Sequence, residues 1–134
     1  MCAGSPRPEW DLAETEACVV AAWPQAVLPG YACVVSKIHV TEPFDLPPDE
    51  QRAFFADAMA AARGLADLFR PAKMNYEIHG NTVPHLHMHL FPRAPNDVYV
   101  GLPNHCRATC HRTTVDLDRL RMAVNSALGA RALR

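Results

Sequence analysis

The chain has 134 residues, enough to bury one hydrophobic core, so a single domain spanning 1–134 is expected. Apolar residues make up 49% and charged residues 20%, an ordinary globular composition, and a net charge of -1 with histidine neutral excludes any global attraction to nucleic acid or to an anionic membrane. No apolar run approaches the roughly 20 residues that span a bilayer, and Met1–Pro8 lacks the apolar region of a secretory signal, so a cytoplasmic location is expected.

Residues 9–17 read as a short helical turn of weak periodicity. Cys18–Trp23 reads as a first strand closed by Pro24, and Gln25–Leu28 as a second short one before the Pro29-Gly30 turn. Tyr31–Ser36, aromatic and β-branched, is a buried strand pairing back on 18–23. A connection over 37–48 begins near His39, which reads as a strand-end histidine bonding nearby backbone, and is anchored by Phe44 and Leu46. Pro48, Asp49 and Glu50 suit the first turn of a helix running to about Phe69, with Phe54, Ala58, Ala61, Leu65 and Leu68 or Phe69 on its buried face and Met59 also in the core. Gly64 costs this helix a little, and Pro71 stops it.

Lys73–Ile78 is a strand of alternating character. His79-Gly80-Asn81-Thr82 forms a loop in which Gly80 is available for positive φ. A strand over 85–91 follows, ended by Pro92, with Arg93 as a surface or dimer-interface charge. Residues 94–113 form a long exposed segment. A final helix, capped by Asp116 or Thr114, buries Leu117, Leu120, Val124 and Leu128. The whole reads as α+β, a mostly antiparallel sheet with one long central helix and one C-terminal helix.

Five cysteines, Cys2, Cys18, Cys33, Cys106 and Cys110, form an odd set that argues against a complete disulfide framework. Cys18 and Cys33 fall in apolar runs and read as small core residues. Cys106 and Cys110 beside His105 and His111 have no second half of a zinc site elsewhere, and read as loop thiols next to solvated histidines.

The informative stretch is His85-Leu86-His87-Met88-His89-Leu90-Phe91. Strict alternation puts Leu86, Met88 and Leu90 on one face of a strand and three imidazoles on the other, roughly 6–7 Å apart from one to the next. Three-point metal ligation is poorly matched by that spacing, and no carboxylate lies between Gly80 and Arg93. Neutral donors surround the row instead: Asn75, Asn81, Thr82 and the backbone at Gly80. A neutral imidazole attacks phosphorus, and flanking imidazoles donate to phosphate oxygens or pass a proton to a leaving group. Covalent phosphoryl or nucleotidyl transfer is the chemistry this suggests.

His-φ-His-φ-His-φ-φ, with φ apolar, resembles the signature of the histidine triad (HIT) superfamily of nucleotide hydrolases and transferases. Leu86, Met88, Leu90 and Phe91 fill every φ position. Leu28-Pro29-Gly30-Tyr31, Val34–His39, Phe44-Asp45-Leu46, Asn75, Gly80–Val83 and Pro92-Arg93 are similar to its flanks, over roughly 18–96, leaving 97–134 as an extension. The likeness is strongest to bacterial diadenosine polyphosphate hydrolase-like members. It implies a HIT-like fold with a five-stranded sheet and a homodimer. It implies that His87 takes the α-phosphate as a nucleotidyl-histidine, that His85 orients it through its carbonyl and ring, and that His89 binds phosphate oxygens. Asn75, Gly80, Asn81 and Thr82 would contact the substrate. No metal would serve the covalent step, although magnesium would accompany a polyphosphate substrate. Tyr31 and Trp23 depart from the family's usual His and Asp or Asn, which bears on ribose recognition. The alternative is a non-catalytic nucleotide- or metal-binding module that keeps the triad for ligation.

Overall fold

An antiparallel sheet carries the histidine stretch near its far edge. The structure, a computed structural model, describes residues 8–99, 101 and 108–133. Its strands are β1 (Asp11–Glu14), β2 (Cys18–Ala21), β3 (Gln25–Ala26), β4 (Ala32–Ser36), β5 (Lys73–Ile78), β6 (His87–Arg93) and β7 (Cys110–His111). The helices are α1 (Pro48–Phe69) and α2 (Thr114–Ala132). Five strands form one sheet in the order β1-β2-β4-β6-β5, antiparallel throughout, and β3 pairs separately with β7. This is the α+β arrangement expected from the alternation of the strands and the spacing of the two helices. No helix among the described residues is long and apolar enough to cross a membrane.

The strands alternate between two apolar clusters. Val20, Val34, Met88 and Leu90 face the helices, where they meet Phe54, Ala58, Ala61 and Leu65 of α1 and Leu117, Leu120 and Val124 of α2. Tyr31, Cys33 and Phe91, one residue out of phase, form a second cluster on the opposite face with Val27, Leu28 and Tyr99. Cys18 and Cys33 are both fully buried, and burial pushes the Cys18 thiol up to about 11. α2 begins at a capping box: the Thr113 hydroxyl accepts from the Asp116 N–H, and the Asp116 carboxylate accepts from the Thr113 N–H.

Four expectations are corrected. Residues 11–14 form an edge strand rather than a helical turn, because the weak local periodicity is overridden by pairing with β2 and by α2, whose Asn125 and Arg121 side chains donate to the Leu12 and Asp11 carbonyls. Phe44 is 74% exposed and anchors nothing, since the 3-10 turn Pro43–Asp45 buries Leu46 instead. Met59 lies on the outer flank of α1, exposed, while Asp57 takes a buried position there. Asp57 accepts from the Thr15 hydroxyl at 2.6 Å, and Arg131 Nη1 stands 2.7 Å from its other oxygen in an ion pair not aligned as a hydrogen bond. The segment 94–113 is not uniformly exposed, because Tyr99 and Arg112 are buried and β7 is paired.

Gly64 has a reason invisible to propensity. A Cβ there would stand 2.5 Å from the Ala123 carbonyl oxygen and 3.1 Å from Ala127 Cβ, so α1 and α2 cross in near contact at this point. Gly64→Ala gains roughly 1 kcal/mol of helix propensity but forces the helices apart, which costs roughly 1–3 kcal/mol. The expected result is a net loss of stability, read as a lower urea midpoint. A higher midpoint would show that the crossing relaxes at no cost.

Candidate functional site

β6 starts two residues later than the alternation predicts and continues through Pro92 to Arg93. Pro92 is tolerated because its nitrogen faces the β4 side, where the ladder has already ended at Ala32↔Leu90. Arg93, turned the other way, accepts from the Ala72 N–H with its carbonyl. His85 and Leu86 precede the strand. Leu86 donates its N–H to the Val40 carbonyl at 2.7 Å and accepts from the Ser36 N–H at 3.0 Å, so the chain bends here. The three histidines are therefore not an even row: His87 and His89 share the strand face, and His85 turns toward the end of β4.

That turn defines a hydrogen-bonded chain. His85 Nε2–H donates to the Ser36 carbonyl at 2.7 Å, and a carbonyl only accepts. In its neutral form His85 thus offers a lone pair at Nδ1, 2.8 Å from Nδ1 of His39, whose ring stacks on it with centroids 5.0 Å apart. His87 Nδ1–H donates to the His85 carbonyl at 2.6 Å, which places the lone pair of neutral His87 at Nε2. His89 lies edge-on to His87 with centroids 4.9 Å apart, and its Nδ1 is 2.9 Å from the Tyr31 hydroxyl. His87 is only 5% exposed, and His85 and His89 are half-buried. The face that carries these rings is partly covered, because Tyr31 and Phe91 of the second apolar cluster lie on the same side of the sheet.

Asn75 sits on this face opposite Phe91, and Glu77 opposite His89. Arg93 Nη1 donates to Asn75 Oδ1 at 2.9 Å; since guanidinium cannot accept, the amide is oriented with its NH2 away from Arg93. Both residues line an open groove of about 700 Å³ with Lys73, Tyr76 and Glu77. Asn81 and Thr82 are exposed on the loop before His85, and among the described residues their side chains do not enter the network around the triad. Gly80 takes the positive φ expected of it, at 158°. His79 bonds Glu77 at 3.0 Å with its ring 5.7 Å from that of His89. Cys106 and His105 lie outside the described residues, and Cys110 and His111 form β7. No three His, Cys, Asp or Glu side chains among the described residues are grouped so as to hold a metal ion.

Comparison with known proteins matches residues 8–96 to the HIT domain. The chain belongs to the HIT domain family. Three crystal structures share its fold. A histidine triad protein of Bradyrhizobium japonicum is 21% identical, with 88% of this chain and 89% of that one covered at a TM-score of 0.78. One of Sinorhizobium meliloti 1021 is 19% identical, with 88% of each chain covered at 0.78. One of Marinobacter aquaeolei VT8 is 24% identical, with 90% and 88% covered at 0.68. No curated protein matches the chain.

In this HIT domain two residues stand in other surroundings than their sequence context suggests. His39 is corrected from a strand-end histidine bonding backbone to the ring partner of His85. Arg93, expected as a surface or dimer-interface charge, is instead buried within the chain: it holds Asp97 through two bonds of 2.6 and 3.0 Å and donates to the Tyr99 carbonyl at 2.7 Å. The Arg93 guanidinium keeps the Asp97 carboxyl below its ordinary value of 3.8. A depressed folded-state pKa adds stability above about pH 4 and loses it as pH falls through the folded value. Thermal melts between pH 7 and pH 3 should therefore show the wild-type HIT domain losing stability below pH 4 more steeply than Asp97→Asn. Parallel curves would remove the pair from the acid response.

Proposed function

We propose that this chain cleaves or transfers a nucleoside phosphoanhydride or phosphoramidate at its α-phosphate, through a nucleotidyl-histidine on His87. The observation that supports this reading is the bond from His87 Nδ1–H to the His85 carbonyl, which in the neutral ring puts the nucleophilic lone pair on Nε2. Membership of the HIT domain family supports a nucleotide as the ligand. In the first step Nε2 bonds to phosphorus, and the P–O or P–N bond to the leaving group breaks. The leaving group keeps the electron pair and takes up a proton. The positive charge that appears on the His87 ring is stabilised at Nδ1–H by the His85 carbonyl, while His89 donates to a phosphate oxygen. Water then attacks phosphorus, the P–N bond returns its pair to Nε2, and nucleoside monophosphate and a proton leave.

His85 serves this step through its backbone, and the His39 ring fixes the side chain that holds the backbone in place. Asn75 offers its amide NH2, and Gly80, Asn81 and Thr82 close over substrate from the loop. The covalent step needs no metal, and magnesium would travel with a polyphosphate substrate. The diadenosine polyphosphate hydrolase-like branch, a cytoplasmic setting and a homodimer complete the reading. The last is supported by β5, an edge strand with exposed Tyr76 and Ile78. A panel of dinucleoside polyphosphates, adenylyl sulfate and adenosine 5′-phosphoramidate, with acid-free quenching and mass spectrometry, tests it. Nucleoside monophosphate release and a protein mass raised by one nucleotidyl group are expected; a panel without turnover sinks it.

A further inference from the structure

Tyr31 is attached to the triad by its hydroxyl rather than by its ring alone. We propose that Tyr31 is a positioning residue that donates its hydroxyl proton to His89 Nδ1 and thereby holds His89 as an Nε2–H donor facing the phosphate site. The inference rests on the function proposed above for what that donor meets, but not for the tautomer itself.

The distance between Tyr31 Oη and His89 Nδ1 is 2.9 Å. Between a phenol and a neutral imidazole, the chemistry of the two groups sets the direction of this bond. A phenol, with a pKa of about 10, is a better donor than a neutral imidazole N–H, and an imidazole nitrogen is a better acceptor than a phenol oxygen. With the proton donated by Tyr31, the single hydrogen of neutral His89 is placed on Nε2. Loss of that bond removes its preference for the Nε2–H form and shifts His89 toward the other neutral tautomer, in which Nε2 presents a lone pair to phosphate oxygens and repels them.

The geometry keeps Tyr31 from turning away. Its ring is buried and stacked between Trp23, at 6.0 Å, and Phe91, at 4.9 Å, and lies nearly parallel to His89 at 5.8 Å. Its backbone is held at both ends: the N–H donates to the Leu28 carbonyl, and the carbonyl accepts from Arg112 Nη1 at 2.6 Å. The preceding Gly30 packs so closely that a Cβ there would meet Pro92 at 2.6 Å, which locks the turn against β6. Packing is satisfied by the ring, so the hydroxyl is the separable part.

Tyr31→Phe keeps the ring and removes the bond, and is expected to fold. Nitrogen-15 spectra of the histidine rings, with His89 assigned by its loss in His89→Gln, should show one Nε2–H tautomer in the wild type and a mixture in Tyr31→Phe. With adenosine 5′-phosphoramidate as the probe, kcat should fall about tenfold with KM within about twofold, because the donor matters most where charge develops. An unchanged His89 signature overturns the assignment whatever the activity. A changed signature with unaltered kcat overturns the positioning role. If His87→Ala turns over the probe at the wild-type rate, the reading of the site fails, and the spectra still decide the tautomer.

Discussion

His87→Ala is expected to lower kcat by at least about a thousandfold while nucleotide affinity stays within a few-fold. The argument is one of atoms. With the imidazole gone there is no Nε2 to bond to phosphorus, so the covalent route closes and only direct attack by water remains, aided by whatever donors still surround the phosphate. In the proposed reading, binding depends on other groups, chiefly the Asn75 amide and the His89 N–H, and these do not need His87. Two complications are built into the site. His87 is buried, so alanine leaves a void beside β6, and the His85 carbonyl loses the partner it has at 2.6 Å. His87→Gln fills most of the void and offers a side-chain N–H, but is no nucleophile, so it separates chemistry from packing. Both variants should bind adenosine monophosphate in a titration and fail to form nucleotidyl-protein in a single turnover. Wild-type turnover in a folded Gln variant would mean that phosphorus never bonds to this ring.

The sequence reading and the structure agree where a single element decides the outcome. Alternation over 73–78 and 86–90, and the 3–4 spacing from Phe54 to Leu65 bounded by Pro48 and Pro71, are local signals with one packing solution each. The site is legible only as far as it lies on one strand. His85 leaves that strand because Leu86 bonds to Val40 and Ser36, and a neighbour two elements away is not written in local periodicity. His39 meets His85 only because β4 and β6 pair with Val35 opposite His87, so knowledge of that register would have been the missing signal. Arg93 and Asp97 did carry one, an acid four residues after a base, though the intervening Ala94-Pro95-Asn96 does not look like a platform for a buried pair. β7 is two residues long, below what any pattern can mark, yet it delivers Arg112 to the underside of the site.

Arg112→Met is expected to cost about 3 kcal/mol of stability. The wild-type side chain is 4% exposed and carries its charge among backbone carbonyls: Nε and Nη2 donate to Trp23, and Nη1 donates to Pro29 and Tyr31. Burial pushes its guanidinium down to about 10, so it is still charged at neutral pH but at a cost of about 3 kcal/mol. Methionine fills a similar volume and removes that cost. It also leaves three carbonyls without their donors, at about 2 kcal/mol each, and this larger effect sets the sign. A chain of this size should then melt about 10 °C lower. The backbone of the segment stays tied, because the Arg112 N–H donates to Pro24 and β3 still pairs with β7, so loosening should be concentrated in 23–31 rather than spread through the sheet. That localisation distinguishes a clamp from a general core residue. Hydrogen exchange should accelerate at the amides of 23–31 while those of β2 change little, and the His89 tautomer should blur as expected for Tyr31→Phe, since one variant loosens and the other removes the Tyr31 hydroxyl bond to His89. A melting point within about 2 °C of wild type, with unchanged exchange in this loop, would mean that water or a neighbouring donor replaces the guanidinium and that the extension after residue 96 does not brace the triad.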